Sequence, residues 1–144
     1  MPFYVATIDS PLSPSEVWAR VSDVSRFAEW DPGTLRSVQV AGSGPGPDAA
    51  YLLTVKGVPR PLDLRYTVTR FEAPERLALE ADTGVLRSAD EISLTAAGAG
   101  TRLTYRAELS LHGVWRVATP VLGLAFGRIG RQAEDGLRAF LAGG

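Results

Sequence analysis

The chain has 144 residues, 45% of them hydrophobic and 22% charged, with a formal net charge of −1. A domain of this size hides roughly 70% of its unfolded surface, so residues 1–144 read as one domain that needs no staples. The near-zero charge argues against nucleic acid as a partner; the absence of cysteine and the single histidine leave no basis for a metal site, and no organic cofactor is expected.

The opening MPFYVATIDS lacks the basic and apolar segments of a signal peptide. The longest apolar stretch, around Val117 to Phe126, holds Pro120 and is too short to span a bilayer. The expectation is a cytoplasmic protein without stable membrane insertion, a monomer or homodimer. All cations but Lys56 are arginine, a bias that fits a GC-rich genome better than a binding property.

Taken in order, residues 3–9 alternate and carry β-branched and aromatic side chains, which predicts a strand. Ser13, Pro14 and Glu16 form a capping box with proline at the first helical position, a local start for the helix SEVWARVSD. A second short helix, DVSRFAEW, is capped by Ser22 or Asp23 and ended by Pro32-Gly33. From there the period becomes two. Strands are predicted at 34–41, 50–57, 61–72, 76–83, 85–97 and 101–112, with a loop at 42–48. The separators have hairpin lengths, so the sheet should be an antiparallel meander.

Residues 115–142 predict the last helix. Trp115, Leu122, Phe126, Ile129, Ala133, Leu137 and Phe140 share one face, and Arg116, Arg131, Asp135 and Arg138 the other. At Thr119-Pro120 the helix either begins, with Thr119 as its cap, or kinks after a first turn. Gly123, Gly127 and Gly130 form a stripe beside the apolar face, each at a cost of roughly 1 kcal/mol against alanine. Such a stripe serves either close packing or a cavity wall.

The order of elements, with SPSEVWARVSDVSRFAEWDP (13–32), LDLRYTVTRFEAPERLALE (62–80) and TRLTYRAEL (101–109), resembles the START-like (SRPBCC) superfamily. Its members include birch-pollen-allergen-like proteins and the polyketide cyclase/dehydrase group. The resemblance implies an α+β helix-grip fold. In that fold a curved seven-stranded antiparallel sheet wraps a long C-terminal helix, two short helices follow strand 1, and a hydrophobic cavity lies between sheet and helix. The fold hosts lipid carriers, hormone receptors, cyclases and chaperone cofactors, so function must be argued from the site.

Strand alternation selects the inward side chains: Leu103, Tyr105, Ala107, Leu109 and Leu111; Leu62, Leu64, Tyr66, Val68 and, at the end, Arg70; Leu77, Leu79 and Ala81; Leu86, Ser88, Asp90, Ile92 and Leu94. Tyr51, Leu53 and Val55 join the same surface. Asp90 either faces inward, where a carboxylate is costly unless paired or wet, or is turned outward beside Glu91 by a bulge. Tyr66 and Tyr105 pair an apolar body with a hydroxyl that wants a partner. Trp30 packs where the second short helix meets the sheet, as anchor or as wall. His112 reads as a surface residue with no acid evident nearby. Arg87 is either a solvated charge or a binder of carboxylate or phosphate.

The leading expectation is a binder of a hydrophobic small molecule, a lipid, isoprenoid or polyketide-like compound. Its contacts would be Trp30, Tyr51, Leu53, Leu64, Tyr66, Leu79, Asp90, Tyr105, Phe126, Gly127 and Ile129. One alternative is a cyclase or dehydratase in which Asp90, Tyr66, Tyr105 or Arg87 moves a proton or polarises a carbonyl. Another is an interaction module like the chaperone-activator or toxin-like branches.

Overall fold

The computed structural model describes residues 3–56, 60–113 and 119–142, with the backbone alone at residue 3 and at 119–129. Strand β1 (Phe3–Ser10) turns Ala6 and Ile8 into the core and Val5 to solvent. Helix α1 (Pro14–Val21) starts at the expected capping box: Glu16 N–H donates to Ser13 Oγ and Ser13 N–H to Glu16 Oε1, each at 3.3 Å. It buries Val17, Trp18 and Val21. The second short helix is a 3-10 helix, Val24–Glu29, capped by Asp23, which accepts from Ser25 N–H at 3.1 Å.

Six further strands follow: β2 (Thr34–Ala41), β3 (Ala50–Val55), β4 (Leu62–Glu72), β5 (Arg76–Asp82), β6 (Leu86–Ala97) and β7 (Gly100–Leu111). They form one antiparallel seven-stranded sheet in the order β1-β7-β6-β5-β4-β3-β2. The hairpins are those the turn residues predict; the first strand alone travels, to pair with the last. The curved sheet and the long C-terminal helix make a helix-grip fold.

Two registers decide which side chains reach the concave face. Pairing of β6 with β7 runs unbroken from Leu86↔Leu111 to Ala97↔Gly100, so no bulge turns Asp90 outward. It stays on the inward face between Leu79 and Ala107. Strand β4 does carry a bulge: Val68 pairs with Leu79 and Arg70 with Ala78, leaving Thr69 over. The extra residue reverses the parity. Arg70 is exposed rather than inward, and Phe71 takes the inward place, its ring 5.3 Å from that of Trp18.

Helix α2 runs Thr119–Phe140, which puts Pro120 in its first turn, where a missing N–H is tolerated. The predicted residues 115–118 lie outside the described ones. Within the described part of the apolar face, Ala133 and Leu137 are buried. The helix is tied to the N-terminal elements. Tyr4 donates to Glu134 at 2.6 Å, Ser10 Oγ to the Leu141 carbonyl at 2.6 Å, and Arg20 to the Phe140 carbonyl at 2.8 Å. That arginine meets an orphan carbonyl at the negative end of the helix dipole.

Glycine lets α2 come close at two positions. A Cβ on Gly130 would stand 2.6 Å from the Tyr4 ring, and one on Gly136 would collide with the Trp30 carbonyl. Gly130, one of the three stripe glycines, thus serves close packing, and Gly136 does so more strictly because its neighbour is backbone.

Candidate functional site

The cavity arises where small residues of sheet and helix face each other. Across the inward rows, Ala81 pairs with Ser88, and Asp90 with Ala107; α2 contributes Gly130 and Ala133. Between these short side chains the core leaves a space of about 160 Å³. Leu64, Val55, Leu109 and Ala107 supply its apolar wall, Ala133 of α2 and Tyr4 of β1 another side, and Asp31, Ser88, Asp90, Tyr66 and Tyr105 its polar groups. Lys56 and Gly33 also border it, and the exposure of Lys56 marks the rim.

The polar groups form two short relays on the sheet. Tyr105 donates to Asp90 Oδ2 at 3.0 Å, and Tyr66, reaching across the small Ala81, donates to Ser88 Oγ at 2.8 Å. Burial pushes the Asp90 carboxyl up from 3.8 to about 7; the Tyr105 hydrogen bond pulls against it and the charge of Asp31 adds to it. Burial also raises both phenols, Tyr105 and Tyr66, with the Asp90 charge as the second cause. Asp31 is raised by burial too, opposed by its hydrogen bonds and by Lys56. Its Oδ1 accepts from Gly33 N–H and its Oδ2 from the Thr34 hydroxyl, both at 2.9 Å. A carboxyl that titrates near neutrality in an apolar space can give or take a proton, or accept a strong hydrogen bond from a bound molecule.

Of the residues singled out in the sequence, Leu64, Tyr66, Asp90 and Tyr105 come together on this cavity. Four others are core instead. Leu53 and Leu79 are buried in packed rows, and Tyr51 is fully buried with its hydroxyl unpartnered. Trp30 is buried, its ring 4.8 Å from Phe27 and 5.9 Å from Tyr105, and it borders a small void behind Tyr105. Arg87 points to the opposite face and pairs with Glu80 at 2.8 Å, which removes it as a cavity group. His112 has an acid partner after all, Asp82 at 3.2 Å, across a half-exposed turn. The side chains of Phe126, Gly127 and Ile129 lie outside the described residues.

Sequence reasoning missed Asp31, Lys56 and Tyr4. Asp31 stands in Trp-Asp-Pro-Gly, where it reads as a helix terminator; the lone lysine among arginines was the available signal for Lys56. Among the described residues there is no cluster of metal-ligating side chains, and no helix is long and apolar enough to cross a membrane.

Residues 1–142 match the family described as "Polyketide cyclase / dehydrase and lipid transport". Toxin Rv0910 of Mycobacterium tuberculosis is 32% identical over 78 residues, a match that spans 53% of this chain and 53% of that protein. Among solved structures, a START superfamily protein from Mycobacterium smegmatis superposes with a TM-score of 0.78 at 13% identity, covering 96% of both chains. The di-domain ARO/CYC protein StfQ from the steffimycin biosynthetic pathway gives a TM-score of 0.70 at 10% identity, over 96% of this chain and 50% of that one. These two likenesses are likenesses of fold.

Proposed function

The chain belongs to the polyketide cyclase / dehydrase and lipid transport family, and from that premise we propose that it binds a hydrophobic small molecule between sheet and α2. The observation that carries the reading is the cavity of about 160 Å³, apolar over most of its wall, with polar groups at Asp90, Tyr105, Tyr66, Ser88 and Asp31 and Lys56 at its rim. Ligand sites have this make-up: apolar walls that supply affinity and a few placed polar groups that set orientation. The volume is near that of an engineered cavity of about 150 Å³ that admits benzene. The enclosed part of the ligand is therefore one ring or a branched chain end, and anything longer leaves past the rim at Lys56.

The test is native mass spectrometry of protein purified from its own host, followed by organic extraction. An apolar molecule at near-unit stoichiometry supports binding. An apo mass, together with failure of small apolar rings to perturb the cavity residues in solution, refutes it.

A second reading has its own support, the carboxyl of Asp90 held near neutrality beside the Tyr105 hydroxyl. In a cyclase or dehydratase, that carboxyl would move the proton while the cavity folds the chain of the substrate. Turnover of a polyketide-like chain that survives Asp90→Asn would remove this reading.

A further inference from the structure

The polar groups of the cavity leave an uneven remainder. Tyr105 and Tyr66 commit their hydroxyl hydrogens to Asp90 and Ser88, and both oxygens of Asp31 are taken by Gly33 and Thr34. What still faces the space is acceptor capacity: Asp90 Oδ1, which has no partner among the described residues, and the lone pairs of two phenol oxygens. When Asp90 is ionised, the described residues set against that capacity one enclosed donor, the Ser88 hydroxyl hydrogen, and the Lys56 ammonium at the rim.

Charge runs the same way. Among the described residues, two carboxyls, Asp31 and Asp90, share the cavity wall with one cation, Lys56, and Arg87 is turned to the far side of the sheet. A ligand carboxylate would meet Asp90 with no enclosed cation from the described residues beside it, at the cost of bringing like charges together in an apolar space. An alcohol would fill the donor role but bring no charge to hold Asp90 in its carboxylate form. An ammonium group does both, because its hydrogens donate and its charge pairs.

Resting on the binding reading above, we propose that the cavity takes an apolar amine. Its ammonium donates to Asp90 Oδ1, and its ring or branched hydrocarbon lies against Leu64, Ala107, Leu109 and Ala133.

The test is a titration of the full chain, followed by amide and side-chain NMR shifts, with four probes of one size: benzylamine, benzyl alcohol, toluene and benzoate. Benzylamine is expected to shift the cavity strands and to bind roughly tenfold or more tighter than the alcohol or the hydrocarbon, as a charge-assisted hydrogen bond provides. Benzoate should be weakest. In Asp90→Asn, whose spectrum reports its own folding, the advantage of the amine over toluene should disappear. The wild-type ranking decides even if that variant fails to fold. Toluene or benzyl alcohol binding as tightly as benzylamine overturns the amine assignment and leaves hydrophobic binding standing, as does benzoate binding tightest. If none of the four moves the cavity residues, both readings fall.

Discussion

Replacing Asp90 by Asn should make the protein more stable at neutral pH and above, by an amount that the site itself sets. Burial raises this carboxyl from 3.8 to about 7. The folded state therefore binds a proton that the unfolded state has already released over that interval. Stability that is fully present below about pH 4 is lost as pH rises towards 7 and stays lost above it. At about 1.4 kcal/mol per pH unit the rise corresponds to about 4 kcal/mol; partial hydration through the cavity reduces that to roughly 2–4 kcal/mol. Asn keeps an oxygen for the Tyr105 hydroxyl and carries no charge at any pH. Asp31, raised for the same reason, is present in both proteins and cancels in the difference. Urea unfolding at intervals from about pH 4 to 8 measures it. The two proteins should agree in acid and separate steadily, with Asp90→Asn the more stable at the alkaline end. A difference that does not change with pH, or a variant less stable at pH 8, would refute the buried-carboxyl argument.

Three further outcomes follow from contacts already described. Gly136→Ala gains about 1 kcal/mol of helix propensity but drives a methyl into the Trp30 carbonyl; a net loss of about 1–3 kcal/mol in thermal or urea unfolding is expected, and net stabilisation would contradict the packing. Ala107→Leu fills the cavity, so apolar ligands should bind at least about tenfold more weakly while circular dichroism stays native. Tyr4→Phe removes the bond to Glu134, worth about 1 kcal/mol at pH 7. Because that bond is the first cause holding the Glu134 carboxyl below its ordinary value, the stability is present above about pH 4.5 and lost in acid, so the variant and wild type should converge there.

Turn chemistry made most of the fold legible. The capping box at Ser13, the Pro and Gly separators and the two-residue period place every described strand within two residues of its predicted ends. Where the period was interrupted by one uncompensated residue, at Thr69, the reading of Arg70 inverted, because a bulge has no signature in composition. The cavity was legible only as a face. Parity says that Leu53, Tyr51, Leu79 and Tyr66 point inward, but not which of them are covered by other side chains and which look onto empty space. That depends on opposing volumes, and the informative residues were the small ones: Ser88, Ala107 and Ala133. Their juxtaposition joins strands from the middle of the chain to a helix at its end, which no local window contains.

The place of β1 in the sheet also governs when this protein can fold. Phe3 faces Glu108 and Ser10 faces Thr101, so β1 waits for a strand made roughly 100 residues later. At roughly 5–20 residues per second that wait lasts about 5–20 s, during which Ile8 and the apolar side of β1 have no sheet to join. The β2–β7 meander can assemble hairpin by hairpin as it emerges, whereas β1 and α2 close over it together, through the Tyr4–Glu134 and Ser10–Leu141 bonds. Such non-local closure slows folding. The cavity, bounded on one side by α2, therefore cannot exist until both β7 and α2 have been made.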